Sequence, residues 1–411
     1  MARGRLVLIL IVLVLIAFAA WWLATQKTLP SFLAPPLRLT PVSFNEVPDW
    51  HSSDPRAGLR AFARSCAALA KKNPTDAMGG IGYAGNVGDW LPACREIPNG
   101  NVTATTARRF FESWAKPVAI GTGDDRDGTF TGYYEAEIDA SRTQHGAYQT
   151  PIYATPDNLV GVDVGDFLDD LKGRHFTGCV DGHKLVKCPE RAAIDAGGLK
   201  QAKILFYADD PVSVFFLHIQ GSGRVHFDDG TSARVNYDAQ NGQPYTAIGK
   251  TLIGMGVPRD GMSMQVIRKW LKDHPADARR VMETDKSYIF FREEPITDPQ
   301  AGPVGSEGVT LTPAASLAVD MKLHPLGAPM FVVAKRPDAN PDREDHAFNQ
   351  LMVAQDSGGA IKGAVRGDVF WGFGSDAASI AGHMKSSGKL YVLLPKALAA
   401  KLGKSQDYPA P

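Results

Sequence analysis

Two aspartates, Asp356 and Asp368, lie twelve residues apart on either side of a glycine-rich turn. The apolar residues beside each of them are typical of strand ends, where folds usually present reactive groups. Lys362 and Arg366 lie between the two aspartates. A positive charge that is closer to one carboxyl separates the two pKa values, and such a pair can act as acid and base. The segment predicts an acid–base site; the alternative is that Asp356 only caps a turn and is neutralised by Lys362.

The composition limits the classes of protein that this chain can represent. Its 411 residues, 44% of them hydrophobic, are enough for a substantial core and predict two domains. Lys plus Arg and Asp plus Glu are 44 each, so the formal net charge is zero, and no basic run occurs. Nucleic-acid binding needs clustered Lys and Arg, so we predict no nucleic-acid partner. A carbohydrate substrate is compatible with this composition.

The N-terminus carries an unbroken apolar segment over residues 6–24. As a helix it would span about 28 Å, close to the roughly 30 Å hydrocarbon core of a bilayer. Arginines precede it and tryptophans close it, which predicts an inner-membrane anchor within residues 1–26 and a body outside that membrane. A cleaved signal peptide is the alternative, because Ala17-Phe-Ala19 resembles a cleavage site. Either way we predict a periplasmic protein.

The four cysteines are an even number, which favours disulfides in an oxidising periplasm. Cys179 and Cys188 flank a turn and would close a small hairpin. Cys66 and Cys94 would then join the first helix to the next loop, although the sequence alone does not fix the pairing. Zinc ligation is the alternative, but no Cys-x-x-Cys occurs. We therefore predict neither a metal nor another cofactor.

Prolines make residues 27–44 an extended spacer, and hydrophobic periodicity predicts the elements that follow. Helices are predicted over 57–69 and 102–115, with Phe110, Phe111 and Trp114 in the core. Strands are predicted from Thr129, over 212–219 and throughout the last third, and further helices over 245–254, 264–272 and 276–282. Periodicity alone thus predicts an α+β protein of two domains.

The glycine-rich segment and four upstream motifs resemble the membrane-bound lytic transglycosylase A family. The matching segments are Phe130-Thr-Gly-Tyr-Tyr134, Gln220-Gly-Ser-Gly223, Ser287-Tyr-Ile-Phe-Phe291, Leu311-Thr-Pro with Ser316-Leu-Ala-Val-Asp320, and Ala354-Gln-Asp-Ser-Gly-Gly-Ala-Ile-Lys-Gly363 with Arg366-x-Asp-x-Phe-x-Gly372. Each motif alone is weak, but five in the family's order are specific. The resemblance covers roughly residues 47–394.

The resemblance implies a mainly β, α+β fold. A double-psi β-barrel would be assembled from residues 45–134 and 285–400, and an inserted β-rich domain would take residues 135–284. The substrate groove would run between the two. The best-known members are lipoproteins, but this chain has no cysteine before Cys66. We therefore expect no lipid anchor.

The resemblance also implies a reaction. The family cleaves the β-1,4 bond between N-acetylmuramic acid and N-acetylglucosamine in peptidoglycan, and closes the muramyl C6 hydroxyl onto C1 as a 1,6-anhydro ring. One carboxyl can protonate the departing oxygen and then take the proton of that hydroxyl. The catalytic aspartate of the family aligns with Asp368. Asp356 is expected to orient the loop or to stabilise positive charge at C1.

Six residues are predicted to bind the sugar chain: Thr131, Gly132, Tyr133, Gln220, Gly221 and Lys362. Gly132 would let the backbone approach the sugar. Tyr133 and its neighbour Tyr134 would pack on sugar faces, with the alternative that they are core residues, as aromatics on strands more often are. The expected ligand is the glycan strand of peptidoglycan. The sequence does not identify protein partners in a cell-wall synthesis complex.

Two other classes of protein compete with this interpretation. Asp356-Ser357-Gly358 is the active-site triplet of aspartic proteases, which need two triplets sharing one proton. Only one triplet occurs, so such a protease would have to be a homodimer. The second alternative is a non-catalytic peptidoglycan-binding or scaffold protein on the same fold. The complete motif around Asp368 favours the enzyme.

Overall fold

A computed structural model describes residues 35–172, 174–199, 202–296 and 301–409 of the chain. The membrane anchor predicted within residues 1–26 lies outside these ranges. Within them, every helix is too short or too polar to cross a bilayer.

Strands form most of the framework, and helices pack around them. The strands are β1 (Leu37–Pro41), β2 (Ala115–Thr122), β3 (Gly128–Ser141), β4 (Thr150–Tyr153), β5 (Leu159–Asp163), β6 (His175–Asp181), β7 (Lys184–Val186), β8 (Ile204–Ala208), β9 (Ser222–Phe227), β10 (Ser232–Gln240), β11 (Ile289–Pro295), β12 (Ser316–Val319), β13 (Pro329–Arg336), β14 (His346–Ser357), β15 (Arg366–Phe373), β16 (Lys385–Pro395) and β17 (Gln406–Tyr408). The helices are α1 (Arg56–Leu69), α2 (Leu91–Arg95), α3 (Ala104–Trp114), α4 (Arg191–Asp195), α5 (Pro211–Gln220), α6 (Ile248–Gly254), α7 (Met264–Asp273), α8 (Pro275–Met282), α9 (Gly374–His383) and α10 (Lys396–Lys401).

Six strands close into a ring in the order β3-β15-β12-β14-β13-β16. The pairs β3–β15 and β12–β14 are parallel, and the other pairs are antiparallel, including the closing pair β16–β3. Closure leaves these strands without a free hydrogen-bonding edge.

The predicted β-rich α+β fold is confirmed, while the double-psi form of the barrel stays a prediction.

One hydrophobic core fills the ring and the elements around it. Its buried members come from residues 37–130 and from residues 315–402, and they include Phe130, Leu317 and Phe331. The two ends of the chain therefore complete one core, which neither end could bury alone.

Strand β3 belongs to two sheets at once. Its first half pairs with β15 and β16 in the ring, and its second half, from Ala136, pairs with β9. Strands β10 and β11 extend this second sheet. A separate core lies on that side, with Phe206, Leu217 and Phe291 buried in it. The register of one continuous strand thus fixes the ring relative to the second sheet.

The predicted spacer at 27–44 is too long at its C-terminal end. Leu37 and Leu39 are buried in the main core, and their strand β1 pairs with both β2 and β17. The alternation of buried leucines with more exposed residues is typical of a strand with one face on a core. Pro41 ends the strand, where a missing N–H is tolerated. The folded body therefore includes part of the segment that the prolines predicted to be a spacer.

The first two predicted helices, 57–69 and 102–115, are confirmed as α1 and α3. Phe110 and Phe111 are buried, and Trp114 packs against the same core. Helix α1 lies on β14, where Gly58 allows the close approach. A Cβ at Gly58 would lie 2.6 Å from the carbonyl oxygen of Leu351.

The strand predicted over 212–219 is wrong, because these residues form helix α5. Asp210 caps its N-terminus by accepting a hydrogen bond from the N–H of Val212, and Pro211 occupies the first turn. Gly221 ends the helix with a left-handed φ of 78°. The run is apolar on all sides because α5 is buried between two cores, so it shows no helical periodicity.

Both disulfides join cysteines that are close in the sequence. Cys66 on α1 is bonded to Cys94 on α2, and Cys179 on β6 is bonded to Cys188. The second bond lies beside the small antiparallel sheet β5-β6-β7. All four cysteines of the chain are thus paired, which leaves none as a zinc ligand.

Candidate active site

Asp368 lies on β15, opposite Thr131 in the parallel pairing with β3. This register brings residues that are 237 positions apart into contact. The hydroxyl of Thr131 donates to Oδ1 of Asp368 at 2.5 Å. The ring closure, and not a local turn, therefore positions this carboxyl.

Burial raises the pKa of Asp368 to about 6. The hydrogen bond from Thr131 and the charge of Arg366 act in the opposite direction, and the charge of Asp356 raises the pKa further. Phe370, the next residue on the same side of the strand, is fully buried. The aspartate is therefore partly protonated near neutral pH, as a general acid requires.

Asp356 lies at the end of β14 and is surrounded by donors. Its Oδ1 accepts from the N–H and the hydroxyl of Ser306, at 3.0 and 2.8 Å, and from the N–H of Ser357 at 2.9 Å. Its Oδ2 accepts from the hydroxyl of Tyr133 at 2.7 Å. All of these partners donate, and an ionised carboxylate, which only accepts hydrogen bonds, matches them. The geometry suits a fixed negative charge.

Tyr133 contacts Asp356 and the strand that carries Asp368. Its ring packs on Phe370 with 5.3 Å between the ring centroids, while its hydroxyl donates to Asp356. Burial, with the charge of Asp356 next, raises the pKa of Tyr133 well above its usual value, so its hydroxyl stays a donor. The neighbouring Tyr134 is buried in the second core, which makes it a core residue and not a sugar platform.

Gly132 was predicted to let the backbone approach the sugar, but the packing around it supports a different role. A Cβ at this position would lie 2.6 Å from Nε1 of Trp371 and 2.9 Å from Cα of Ala381. The space beside Gly132 is therefore filled by Trp371 and helix α9. The glycine allows this packing, which keeps β3 and α9 in contact.

Gln220 and Gly221 lie at the end of α5, beside β3. The side-chain oxygen of Gln220 accepts from the N–H of Tyr134 at 3.3 Å, and its amide nitrogen lies 3.8 Å from the sulfur of Met264. Gln220 is thus attached to the same strand that carries Thr131. Gly221 provides the helix end that turns the chain into β9.

Lys362 does not form an ion pair with Asp356. The alternative that Asp356 only caps a turn and is neutralised by Lys362 is therefore not supported. Its Nζ lies 3.9 Å from Oδ1 of Asp320, and Oδ2 of Asp320 accepts from the N–H of Gly363 at 3.0 Å. The turn between the two aspartates carries the lysine side chain away from Asp356. Lys362 stays a predicted substrate residue, and Asp320 holds the loop through the N–H of Gly363.

Two residues at the site were not predicted as site residues. Ser306 comes from the loop before β12 and supplies two of the hydrogen bonds to Asp356. Arg366 donates from Nη2 to Thr131 at 2.8 Å. No sequence pattern identifies Ser306 as a site residue. Arg366 belongs to the Arg-x-Asp motif, and this motif could have identified it as one.

The aspartic-protease alternative has no support in this geometry. The triplet residue Asp356 is bonded to a tyrosine and to two serines, where a protease dyad would place a second carboxyl. In the described part of the chain, no three His, Cys, Asp or Glu residues are grouped to hold a metal ion.

Comparison with known proteins identifies the family. The sequence matches the MltA specific insert domain over residues 129–292 and the 3D domain over residues 315–394. It is 32% identical to membrane-bound lytic murein transglycosylase A of Escherichia coli K12 over 310 residues, which are 75% of this chain and 74% of the relative.

Solved structures give the same result. A membrane-bound lytic murein transglycosylase from Agrobacterium tumefaciens is similar with a TM-score of 0.77 and 33% identity, over 88% of this chain and 99% of that one. The E. coli MltA crystal structure with bound chitohexaose has a TM-score of 0.63 and 28% identity, over 87% of this chain and 94% of that one. The chain belongs to the membrane-bound lytic murein transglycosylase A family and is a peptidoglycan lytic transglycosylase.

Proposed function

We propose that Asp368 is the acid and the base of this lytic transglycosylase, acting on the β-1,4 bond between N-acetylmuramic acid and N-acetylglucosamine. The main support is the environment of the partly buried carboxyl of Asp368. Burial raises the pKa of this carboxyl to about 6, and Thr131 donates a hydrogen bond to one of its oxygens. A carboxyl with such a pKa is present in both protonation states near neutral pH. One residue can therefore donate a proton and later accept one.

In the first step, protonated Asp368 gives its proton to the glycosidic oxygen. The bond from C1 of the muramyl residue to that oxygen breaks, and the electron pair leaves with the oxygen, which becomes the hydroxyl of N-acetylglucosamine. Positive charge develops at C1 of the muramyl residue. Asp368 is left as a carboxylate.

In the second step, the Asp368 carboxylate takes the proton of the muramyl C6 hydroxyl as its oxygen bonds to C1. The 1,6-anhydro ring closes, and Asp368 is protonated again for the next cycle. No water molecule is added, so the reaction differs from glycoside hydrolysis, in which a second carboxylate activates water or attacks carbon.

Asp356 supports this reaction as a fixed negative charge. Both of its oxygens already accept hydrogen bonds, Oδ1 from Ser306 and Ser357 and Oδ2 from Tyr133, which favours a fixed carboxylate over a proton-transfer group. A carboxylate held in place lowers the energy of the positive charge at C1 without reorganising. Thr131, Tyr133 and Gln220 would border the sugar chain from β3 and α5.

Peptidoglycan glycan strands are the substrate, and chitohexaose, found in the crystal structure of the E. coli relative, is an amino-sugar oligomer of related chemistry. We place the groove between a catalytic domain built from both chain ends and the inserted domain. Separate cores on the two sides of β3 support this division.

The protein belongs to the cell envelope, where its substrate lies. We propose that it is held at the inner membrane by residues 6–24 and faces the periplasm, with cleavage of that segment as the alternative. Two disulfides in the folded body support an oxidising compartment.

The product distribution tests the reaction. We expect the full-length chain, solubilised in detergent, to digest purified sacculi to muropeptides that end in 1,6-anhydromuramic acid. Mass spectrometry distinguishes these products, because a hydrolytic product is heavier by one water molecule. Reducing ends alone would reject the non-hydrolytic reaction, and intact sacculi with bound protein would indicate a binding protein.

The pH profile tests the protonation state of Asp368. The first step needs the protonated carboxyl, and this form is lost as the pH rises through a pKa of about 6. We therefore expect kcat/KM, which reports the protonation state of the free enzyme, to fall on an alkaline limb near pH 6, measured from initial rates of anhydro-product release. A rate that stays constant from pH 5 to pH 8 would be incompatible with Asp368 as the acid.

A further inference from the structure

Arg366 lies two residues before Asp368 on β15 but does not contact its carboxyl directly. In the described part of the chain, no carboxylate forms an ion pair with Arg366. Its Nη1 donates to the carbonyl oxygens of Thr129, at 3.2 Å, and of Gly367. Its Nη2 donates to Oγ1 of Thr131 at 2.8 Å. The guanidinium is therefore fastened to β3 and to its own strand, with one donor aimed at the threonine hydroxyl.

This contact determines what the Thr131 hydroxyl can do. A hydroxyl has one hydrogen to donate and two lone pairs, whereas a guanidinium only donates. Because Arg366 occupies a lone pair of Oγ1, the hydroxyl hydrogen is directed to Oδ1 of Asp368, 2.5 Å away. Without the guanidinium the hydroxyl would be free to turn and to accept a hydrogen bond from the carboxyl.

The orientation of the hydroxyl distinguishes the two oxygens of Asp368. An acid proton on the Oδ1 lone pair that faces Thr131 would meet the hydroxyl hydrogen, which would then lose its acceptor. A proton on the other lone pair of Oδ1 would weaken this oxygen as an acceptor. With the proton on Oδ2, both hydrogen bonds of the Arg366–Thr131–Asp368 chain are kept. Oδ1 then serves as a permanent acceptor and Oδ2 as the oxygen that exchanges protons.

We propose that Arg366 is a positioning residue that, through Thr131, keeps Oδ1 of Asp368 as an acceptor and assigns the catalytic proton to Oδ2. This rests on the proposed role of Asp368 as acid and base. In the first step the proton leaves Oδ2 for the glycosidic oxygen. In the second step Oδ2 receives the proton of the C6 hydroxyl, and Oδ1 keeps its bond to Thr131 throughout.

The shape of the arginine matters as well as its charge. The planar fork presents Nη1 to two carbonyl oxygens and Nη2 to the hydroxyl at the same time. A lysine ammonium is a single nitrogen on a flexible stem, so it would supply the charge without fixing the hydroxyl. Arg366→Lys therefore separates positioning from simple electrostatic attraction.

The test compares Arg366→Lys, Thr131→Val and Thr131→Ser, assayed for anhydro-product release from soluble glycan strands. We expect Arg366→Lys and Thr131→Val each to lower kcat by roughly a hundredfold with little change in KM, at the lower end of the effect of losing one oriented donor. Both should move the alkaline limb to higher pH, because the hydrogen bond from Thr131 lowers the pKa of Asp368. Thr131→Ser keeps the hydroxyl and should keep most activity.

The double variant and the controls decide the interpretation. Arg366→Lys with Thr131→Val should be no slower than Thr131→Val alone, because both changes break the same chain of hydrogen bonds. Arg109→Lys, on an exposed arginine of α3, should leave kcat and the pH profile unchanged. Thermal unfolding of each variant shows whether a loss of activity is a loss of fold.

Full kcat and an unmoved alkaline limb in Arg366→Lys would overturn the inference. If that variant does not fold, an unchanged rate and limb in Thr131→Val would overturn it equally. An active Asp368→Asn enzyme would instead reject the acid–base assignment on which the inference rests. The two failures are thus distinguishable.

Discussion

We expect Asp368→Asn to abolish transglycosylase activity while glycan binding survives. The substitution keeps the size of the side chain, and the amide oxygen can still accept from the hydroxyl of Thr131. The amide cannot give a proton to the glycosidic oxygen or take one from the C6 hydroxyl. General acid–base catalysis contributes about 10²–10⁴-fold, and here both proton transfers use one residue. Release of anhydro-muropeptides should therefore fall to background, while calorimetry with soluble glycan strands shows unchanged affinity.

Asp356→Asn is the matched comparison. An amide at this position retains one oxygen for Ser306 and Ser357, and its nitrogen can donate to the hydroxyl of Tyr133. The fixed negative charge is lost, but the proton transfers remain. We expect this variant to be slower than the wild type and much faster than Asp368→Asn. Complete loss in Asp356→Asn together with an active Asp368→Asn would reverse the two roles.

Removal of the Cys66–Cys94 disulfide has the largest expected effect on stability. The bond closes a loop with a sequence separation of 28, and Cys66 is buried on α1 against the main core. In the chain-entropy model, opening a loop of this length costs roughly 3–4 kcal/mol of folding free energy. The variant Cys66→Ala/Cys94→Ala should therefore unfold at a clearly lower urea concentration than the wild type.

The second disulfide provides the control. Cys179–Cys188 closes a loop with a separation of only 9, so its removal should cost less, about 2–3 kcal/mol. It also lies beside the small sheet β5-β6-β7, away from the main core, whereas α1 and α2 pack on that core. A larger loss of stability from Cys179→Ala/Cys188→Ala than from the first pair would contradict this ranking.

Features that depend on neighbouring residues were predictable from the sequence. Helices α1 and α3 have one apolar face at a spacing of three and four residues, so their periodicity is visible in a short window. The two aspartates and the turn between them are also local patterns. Five motifs in the same order as in the family carry the resemblance, and the resemblance implied the family and the reaction.

Helix α5 shows where a local pattern is insufficient. Val212 and Phe215 are buried in one core and Val214 and Leu217 in another, so apolar residues surround the helix. Such a run has no polar face to reveal its period, and a buried strand has the same composition. The segment is a helix that is buried on two sides, and burial on two sides is a property of the assembled fold that a short sequence window does not show.

The sequence by itself determined which residue types and motifs are available for chemistry, but only the tertiary structure decided which of them meet. Thr131 and Asp368 are 237 positions apart and are joined by the parallel pairing of β3 with β15. Ser306 reaches Asp356 across 50 positions, while the nearby Lys362 turns to Asp320. Local interactions select helices, turns and strands, whereas the site is built from contacts that exist only after the ring of strands has closed.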